Sequence, residues 1–178
     1  MLNENLKNAN ILIVDDKDAN IDILVGLLES QGYSNVKTTT HPRMAIGMFK
    51  SLSPDIILLD LLMPHLSGYE IMSQLKTLIS PVNFLPILVL TADITVEAKQ
   101  RALALGARDF LTKPFDLNEV AFRIKSLLYT RYLQQQVNYL TQLVEGKVPD
   151  NSLTDTNNQQ PITDGPDEES QELETDNE

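Results

Sequence analysis

The chain has 178 residues, 42% of them hydrophobic, which suits one domain with a filled core and an appendage. Residues 149–178 hold ten acids and no Lys or Arg, leaving 15 acids against 14 basic residues in positions 1–148, so the net charge of −11 is almost wholly a property of the tail. No basic face is implied, which speaks against direct nucleic-acid binding, and the lack of cysteine excludes disulfides and thiolate metal sites.

The N-terminal stretch MLNENLKNAN has no apolar stretch of the kind a secretory leader needs, and the longest apolar runs fall far below the ~20 residues that span a bilayer. The expectation is a cytoplasmic protein with no membrane contact. Five short apolar runs then alternate with helical patterns: ILIV at 11–14, a weak NVKTT at 35–39, DIILL at 55–59, PILVL at 86–90 and RDFLT at 108–112. The first, third and fourth are apolar without alternation, as strands buried on both faces are, and the other two read as edge or near-edge strands.

Between the runs lie amphipathic segments. Residues 18–31 place Ile21, Leu24, Val25 and Leu28 at helical spacing and stop at Gly32. Residues 42–52 carry Ala45, Ile46 and Phe49. A third segment opens on Ser67 with Glu70 three residues on, a capping-box pattern, and continues through Ile71, Leu75 and Leu78. A fourth, 95–105, ends at Gly106, and a fifth starts at Asp116 with Leu117, Val120, Ala121, Ile124 and Leu128 facing the core. Strict β/α alternation implies an α/β fold with a doubly wound parallel sheet and helices on both faces. In such open sheets ligands bind beyond the carboxyl ends of the strands.

At those ends the first strand delivers Asp15 and Asp16, the third Asp60, the fourth Thr91 and the fifth Lys113 followed by Pro114. Adjacent carboxylates repel one another and resist desolvation unless a hard cation sits among them. Oxygen ligands with no His or Cys suit Mg²⁺, and one carboxylate can then act as a nucleophile toward phosphorus. A hydroxyl and an ammonium nearby would hold the phosphoryl oxygens, since phosphoryl transfer is mostly positioning plus charge stabilisation. Asp15 and Asp16 could merely cap the first helix, but Asp18 is better placed for that. His41 and His65, each beside a proline in a polar loop, read as solvated imidazoles outside the site.

The motifs LIVDD, DIILLDLLMPHLSG, LTAD and GARDFLTKPFD, in this order and spacing, resemble the receiver domain of response regulators in two-component signal transduction, over about residues 9–130. The resemblance implies a flavodoxin-like five-stranded sheet of order 2-1-3-4-5. It implies Asp60 as phosphoacceptor (the phosphoprotein state), Mg²⁺ bound directly by Asp16, through water by Asp15, and by Asp60 and the backbone carbonyl of Leu62. It implies a switch in which Thr91 moves toward the phosphoryl group and Phe110 swings inward behind it, with Lys113 paired to the phosphoryl group or to Asp60. A cis Lys113–Pro114 peptide is also implied, and Leu62 and Asp93 fall at the two positions that set dephosphorylation rate. The partners implied are a histidine kinase or phosphotransfer protein upstream and a protein target downstream. A metal-dependent hydrolase with an aspartyl intermediate is the rival reading, weakened because Leu62 stands where a second acid would be needed. A regulator whose output lies on another chain, or has been lost, is a third.

The last helical pattern runs on from 126 to 148, with Leu133, Val137, Leu140 and Val144 at the 4-3-4 spacing of a coiled-coil seam. Residues 131–148 are therefore expected to extend the last helix, either pairing in a phosphorylation-dependent homodimer or folding back onto the domain. Residues 149–178, without aromatics, are expected to form an acidic disordered tail. No helix-turn-helix, cyclase or phosphodiesterase sequence fits these residues, so no output domain is expected on this chain.

Overall fold

The structure, a computed structural model, describes residues 6–80 and 83–146. Its strands are β1 (Ile11–Val14), β2 (Val36–Thr39), β3 (Ile56–Leu59), β4 (Ile87–Thr91) and β5 (Asp109–Thr112). They form one parallel sheet in the order β2-β1-β3-β4-β5. The helices are α1 (Asp18–Ser30), α2 (Ala45–Leu52, entered through a 3₁₀ turn at Pro42–Met44), α3 (Gly68–Leu78), α4 (Val96–Ala104) and α5 (Leu117–Val144).

Successive strand residues point to opposite faces, and both faces are covered. Ile11, Ile13, Ile56, Leu58, Leu88 and Leu90 pack with Leu24 and Leu28 of α1 and Val120, Ile124 and Leu128 of α5. Leu12, Val14, Ile57, Leu59, Ile87 and Val89 pack on the other side with Ala45, Ile71, Met72, Leu75 and Ala102. This is why the three central runs lack alternation, whereas β2, an edge strand, buries only Thr39. The doubly wound fold expected from the sequence is the one observed.

Helix ends follow local chemistry. Ser67 caps α3 in a reciprocal box with Glu70, and Asp116 caps α5 by accepting from the backbone of Asn118 and Glu119. Gly32 and Gly106 sit at positive φ just past α1 and α4, as αL terminators do. Three sequence expectations are corrected. Asp18 does not cap α1: it is the first helical residue, and the cap position is Lys17, with no side-chain bond. Leu117 and Leu78 are exposed, because the first turn of α5 and the last of α3 overhang the sheet.

α5 continues past the domain without a break but ends at Val144, short of the expected 148, because Glu145 caps it and Gly146 turns to positive φ; the fold-back alternative is not found, since Leu133, Val137, Leu140 and Val144 all face solvent. Residues 147–148 of that extension and the whole acidic tail lie outside the described residues. Where α5 leaves the sheet, Arg131 is buried, and its Nε donates to Asp55 Oδ1 at 3.0 Å while its Nη1 donates to Asn83 Oδ1 and the carbonyl of Phe84. One guanidinium thus ties the helix to the loops that enter β3 and β4. We expect Arg131→Ala to destabilise the fold by about 1–3 kcal/mol, since it leaves partly buried acceptors unpaired, with the urea midpoint as the measurement.

Candidate functional site

The parallel register brings the ends of four strands to one rim. Val14 pairs with Leu59, so Asp15 and Asp60 emerge side by side, and the backbone N–H of Asp60 still bonds to Val14. Thr91 pairs with Thr112, so Lys113 emerges beside it, its N–H bonded to the Thr91 carbonyl. Sequence-distant residues are therefore set together by sheet register alone.

Lys113 Nζ lies 2.6 Å from Asp15 Oδ2 and 2.9 Å from Asp60 Oδ2. Both carboxylates are almost fully buried. Burial pushes the Asp60 carboxyl above the usual aspartate range, although Lys113 and the Leu62 N–H (3.2 Å from Oδ1) work against it. Burial acts to lower the Lys113 ammonium, but its bonds to Asp15 and Asp60 prevail and its pKa is raised. Asp15 is otherwise saturated: its oxygens accept from the Lys17 N–H at 3.0 Å and from the Asn20 amide at 2.9 Å.

Asp16 differs. Its Oδ1 is buried and has no hydrogen-bond partner, and Asp15, Asp16 and Asp60 each offer an oxygen within 4.8 Å of the others. An orphaned carboxylate oxygen in a pocket of three acids is the donor set of a hard divalent cation, so these residues fit Mg²⁺. Leu62 is half exposed next to Asp60.

Thr91 is fully buried, its hydroxyl accepting from the Asp93 N–H at 3.3 Å. The Asp93 carboxylate is in turn held below the usual range by the Thr95 hydroxyl and N–H, which it accepts at 2.7 and 3.0 Å. Phe110 is half-buried beside Val89 and packs on the α3–α4 side of the sheet. The Lys113–Pro114 peptide is cis. His41 and His65 are exposed and stand outside the acid cluster.

Sequence reasoning did not single out two residues that shape the site. Asn20, one turn into α1, orients Asp15, and nothing in its local pattern marks it. Gly68 carried a signal: it follows the Ser67 cap within the quoted motif, and a Cβ there would come 2.2 Å from the Asp60 carbonyl oxygen and 2.9 Å from the Leu61 Cα.

With this geometry described, comparison with known proteins identifies the family. The model of the response regulator receiver domain matches residues 11–125, and the chain belongs to that family. Among curated proteins it is 37% identical over 133 residues to the transcriptional regulatory protein YvrH of Bacillus subtilis, covering 75% of this chain and 54% of the relative. It is 42% identical over 120 residues to the response regulator MprA of Mycolicibacterium vanbaalenii, covering 67% and 50%. The chain thus spans about half the length of the curated relatives it matches. Among solved structures, the Vibrio cholerae chemotaxis protein CheY4 superposes with a TM-score of 0.62 at 30% identity, covering 67% of this chain and 98% of that one. A response regulator from Chloroflexus aurantiacus gives 0.62 at 33%, covering 68% and 98%. The family is one of phosphorylation-controlled signalling domains that hold Mg²⁺ at an acidic pocket. Among the described residues no helix is long and apolar enough to cross a membrane.

Gly68→Ala is expected to displace the Asp60 backbone, because the clashing atoms are main chain and cannot rotate away. Phosphorylation by a small donor should slow by about tenfold or more while the far-UV circular dichroism stays that of the wild type, a displacement of reacting atoms being costly even when the fold survives.

Proposed function

We propose that this chain is a response regulator whose receiver, residues 9–130, takes a phosphoryl group on Asp60 from a histidine kinase or phosphotransfer protein in the cytoplasm, and signals by a change in protein–protein interaction. Residues 131–144 extend its last helix, and residues 149–178 carry ten acids. The observation that carries the reading is the Lys113 ammonium bonded to both Asp15 and Asp60 while Asp16 Oδ1 in the same cluster has no partner.

In the transfer, a carboxylate oxygen of Asp60 attacks phosphorus and forms an O–P bond. The P–N bond to the donor imidazole breaks, and the imidazole leaves with the bonding pair and takes up a proton. Mg²⁺ held by Asp16 and Asp60, by the Leu62 carbonyl and through water by Asp15 would neutralise charge on the phosphoryl oxygens. Lys113 pairs with a phosphoryl oxygen in place of one carboxylate. The Thr91 hydroxyl turns from the Asp93 N–H toward another, and Phe110, half-buried beside Val89, follows inward. The altered surface of α4, β5 and α5 is what a downstream protein reads. Nothing in this scheme is turned over by the chain itself: it accepts the group and holds it, as a signalling domain does. The phosphoryl donor would approach past Asn20, Ile23, Phe115 and Leu117, which line an open, largely apolar hollow beside Lys113.

Acetyl phosphate or a phosphorylated kinase with Mg²⁺ should add one phosphate to the intact mass, and Asp60→Asn should abolish it; undiminished labelling of that variant removes Asp60 from the role.

A separate expectation concerns the metal. Asp16→Asn should weaken Mg²⁺ binding by about tenfold or more, and further than Asp15→Asn does, because Asp15 is already occupied by Lys113, Lys17 and Asn20. Titration followed by NMR compares the two, and a greater loss in the Asp15 variant reverses the order.

A further inference from the structure

α5 is apolar on two opposite sides. At about 100° per residue, the side chains of Val120, Ile124 and Arg131 point into the domain, and those of Phe122, Tyr129, Leu133 and Leu140 point the opposite way. The outward set is exposed in full view of solvent: Phe122 is 69% accessible, Leu140 58% and Val144 89%, with Tyr129, Val137 and Leu143 between them also open. The stripe does not begin with the extension. It starts at Phe122, on the part of α5 that packs against the sheet, and runs to Val144, about 33 Å at 1.5 Å per residue and about three heptads. A single exposed apolar residue is ordinary, but a row of seven on one helix is an interaction face.

We propose that this stripe pairs with the same stripe of a second copy of the chain, in a parallel, in-register, two-stranded coiled coil. Val137 and Val144 take one seam position, and Leu133 and Leu140 the other. A β-branched residue at the first and leucine at the second favours two parallel strands. The flanking positions Gln134, Gln136 and Thr141 are uncharged, and no residue between Arg131 and Glu145 carries a charge. A solvated single helix normally relies on charged pairs along its surface; this stretch has none to offer a charged partner, and two copies meet along it without like-charge repulsion. The chain's own acidic tail is a poor occupant of the part from Leu133 to Val144 for the same reason, since that part presents no cations to its ten acids. Because the stripe lies opposite the core face, each receiver falls on the far side of the helix pair and the two clear one another. Phe122 and Tyr129 then continue the contact up to the domains.

The pairing does not rest on the phosphorylation reading. The stripe is exposed with Asp60 unmodified, so phosphorylation adjusts an association that already exists. Light scattering of the full chain should give the dimer mass, with Asp60→Asn the same and Leu133→Glu with Leu140→Glu weakening association by about 100-fold or more. Both substituted positions face solvent, so the variant should retain wild-type circular dichroism and still accept phosphate on Asp60. The chain has no cysteine, so single introduced thiols report register directly. Leu140→Cys should oxidise to a covalent dimer, and Gln142→Cys, on the outer side of the pair, should not. A monomeric wild type, a dimer that survives the double Glu change, or cross-linking through Gln142→Cys in preference to Leu140→Cys each overturns the proposal.

Discussion

The arrangement depends on one ammonium group. Three carboxylates gathered within 4.8 Å repel one another by about 3 kcal/mol per pair at an effective dielectric near 20, and Lys113 can offset only part of that. It contacts Asp15 and Asp60 and leaves Asp16 facing a buried deficit of positive charge. The rim is therefore held together by Lys113 yet remains negative, a charge balance that fits a divalent cation. The same bonds hold the Asp60 carboxylate in place.

That ammonium comes to the acids through the sheet. β5 pairs only with β4, and β4 separates it from β3, so Lys113 crosses the end of Thr91 to reach Asp60. Thr91 is buried beneath this crossing, with its hydroxyl committed to the Asp93 N–H. On the proposed reading, a phosphoryl group on Asp60 competes for both groups at once. A shift at the rim is then a redistribution of existing hydrogen bonds between two arrangements, and the free energy available to drive it is the difference in how well each arrangement serves the anion.

Much of this was legible in the sequence, for definite reasons. Buried parallel strands need uninterrupted apolar residues, so ILIV, DIILL and PILVL declared themselves, and a polar residue directly after such a run must sit at a strand end. Asp15, Asp60, Thr91 and Lys113 followed from that rule and from right-handed crossovers. Asn20 and Arg131 were not legible, because their partners lie far off in the chain or across a turn, and a helical pattern records which face is apolar but not what a polar group on it touches. Arg131 falls at core-facing spacing after Ile124 and Leu128, where pattern reasoning expects a leucine. Leu117 misled in the opposite direction: it keeps the period of the helix, but the sheet ends before it does.

α5 joins these two levels. It begins at Asp116, three residues past Lys113, and its first turn is fixed by the Asp116 cap. Fifteen residues after Asp116, Arg131 clamps it to the opposite end of the strands, at the entrances to β3 and β4. Between the cap and the clamp Val120, Ile124 and Leu128 are buried in the core, so this half of the helix is held to the domain along its length. The outward stripe lies on both sides of that clamp, with Phe122 and Tyr129 before it and Leu133 to Val144 beyond. The clamp therefore fixes the direction in which the extension, and with it the far part of the stripe, leaves the domain.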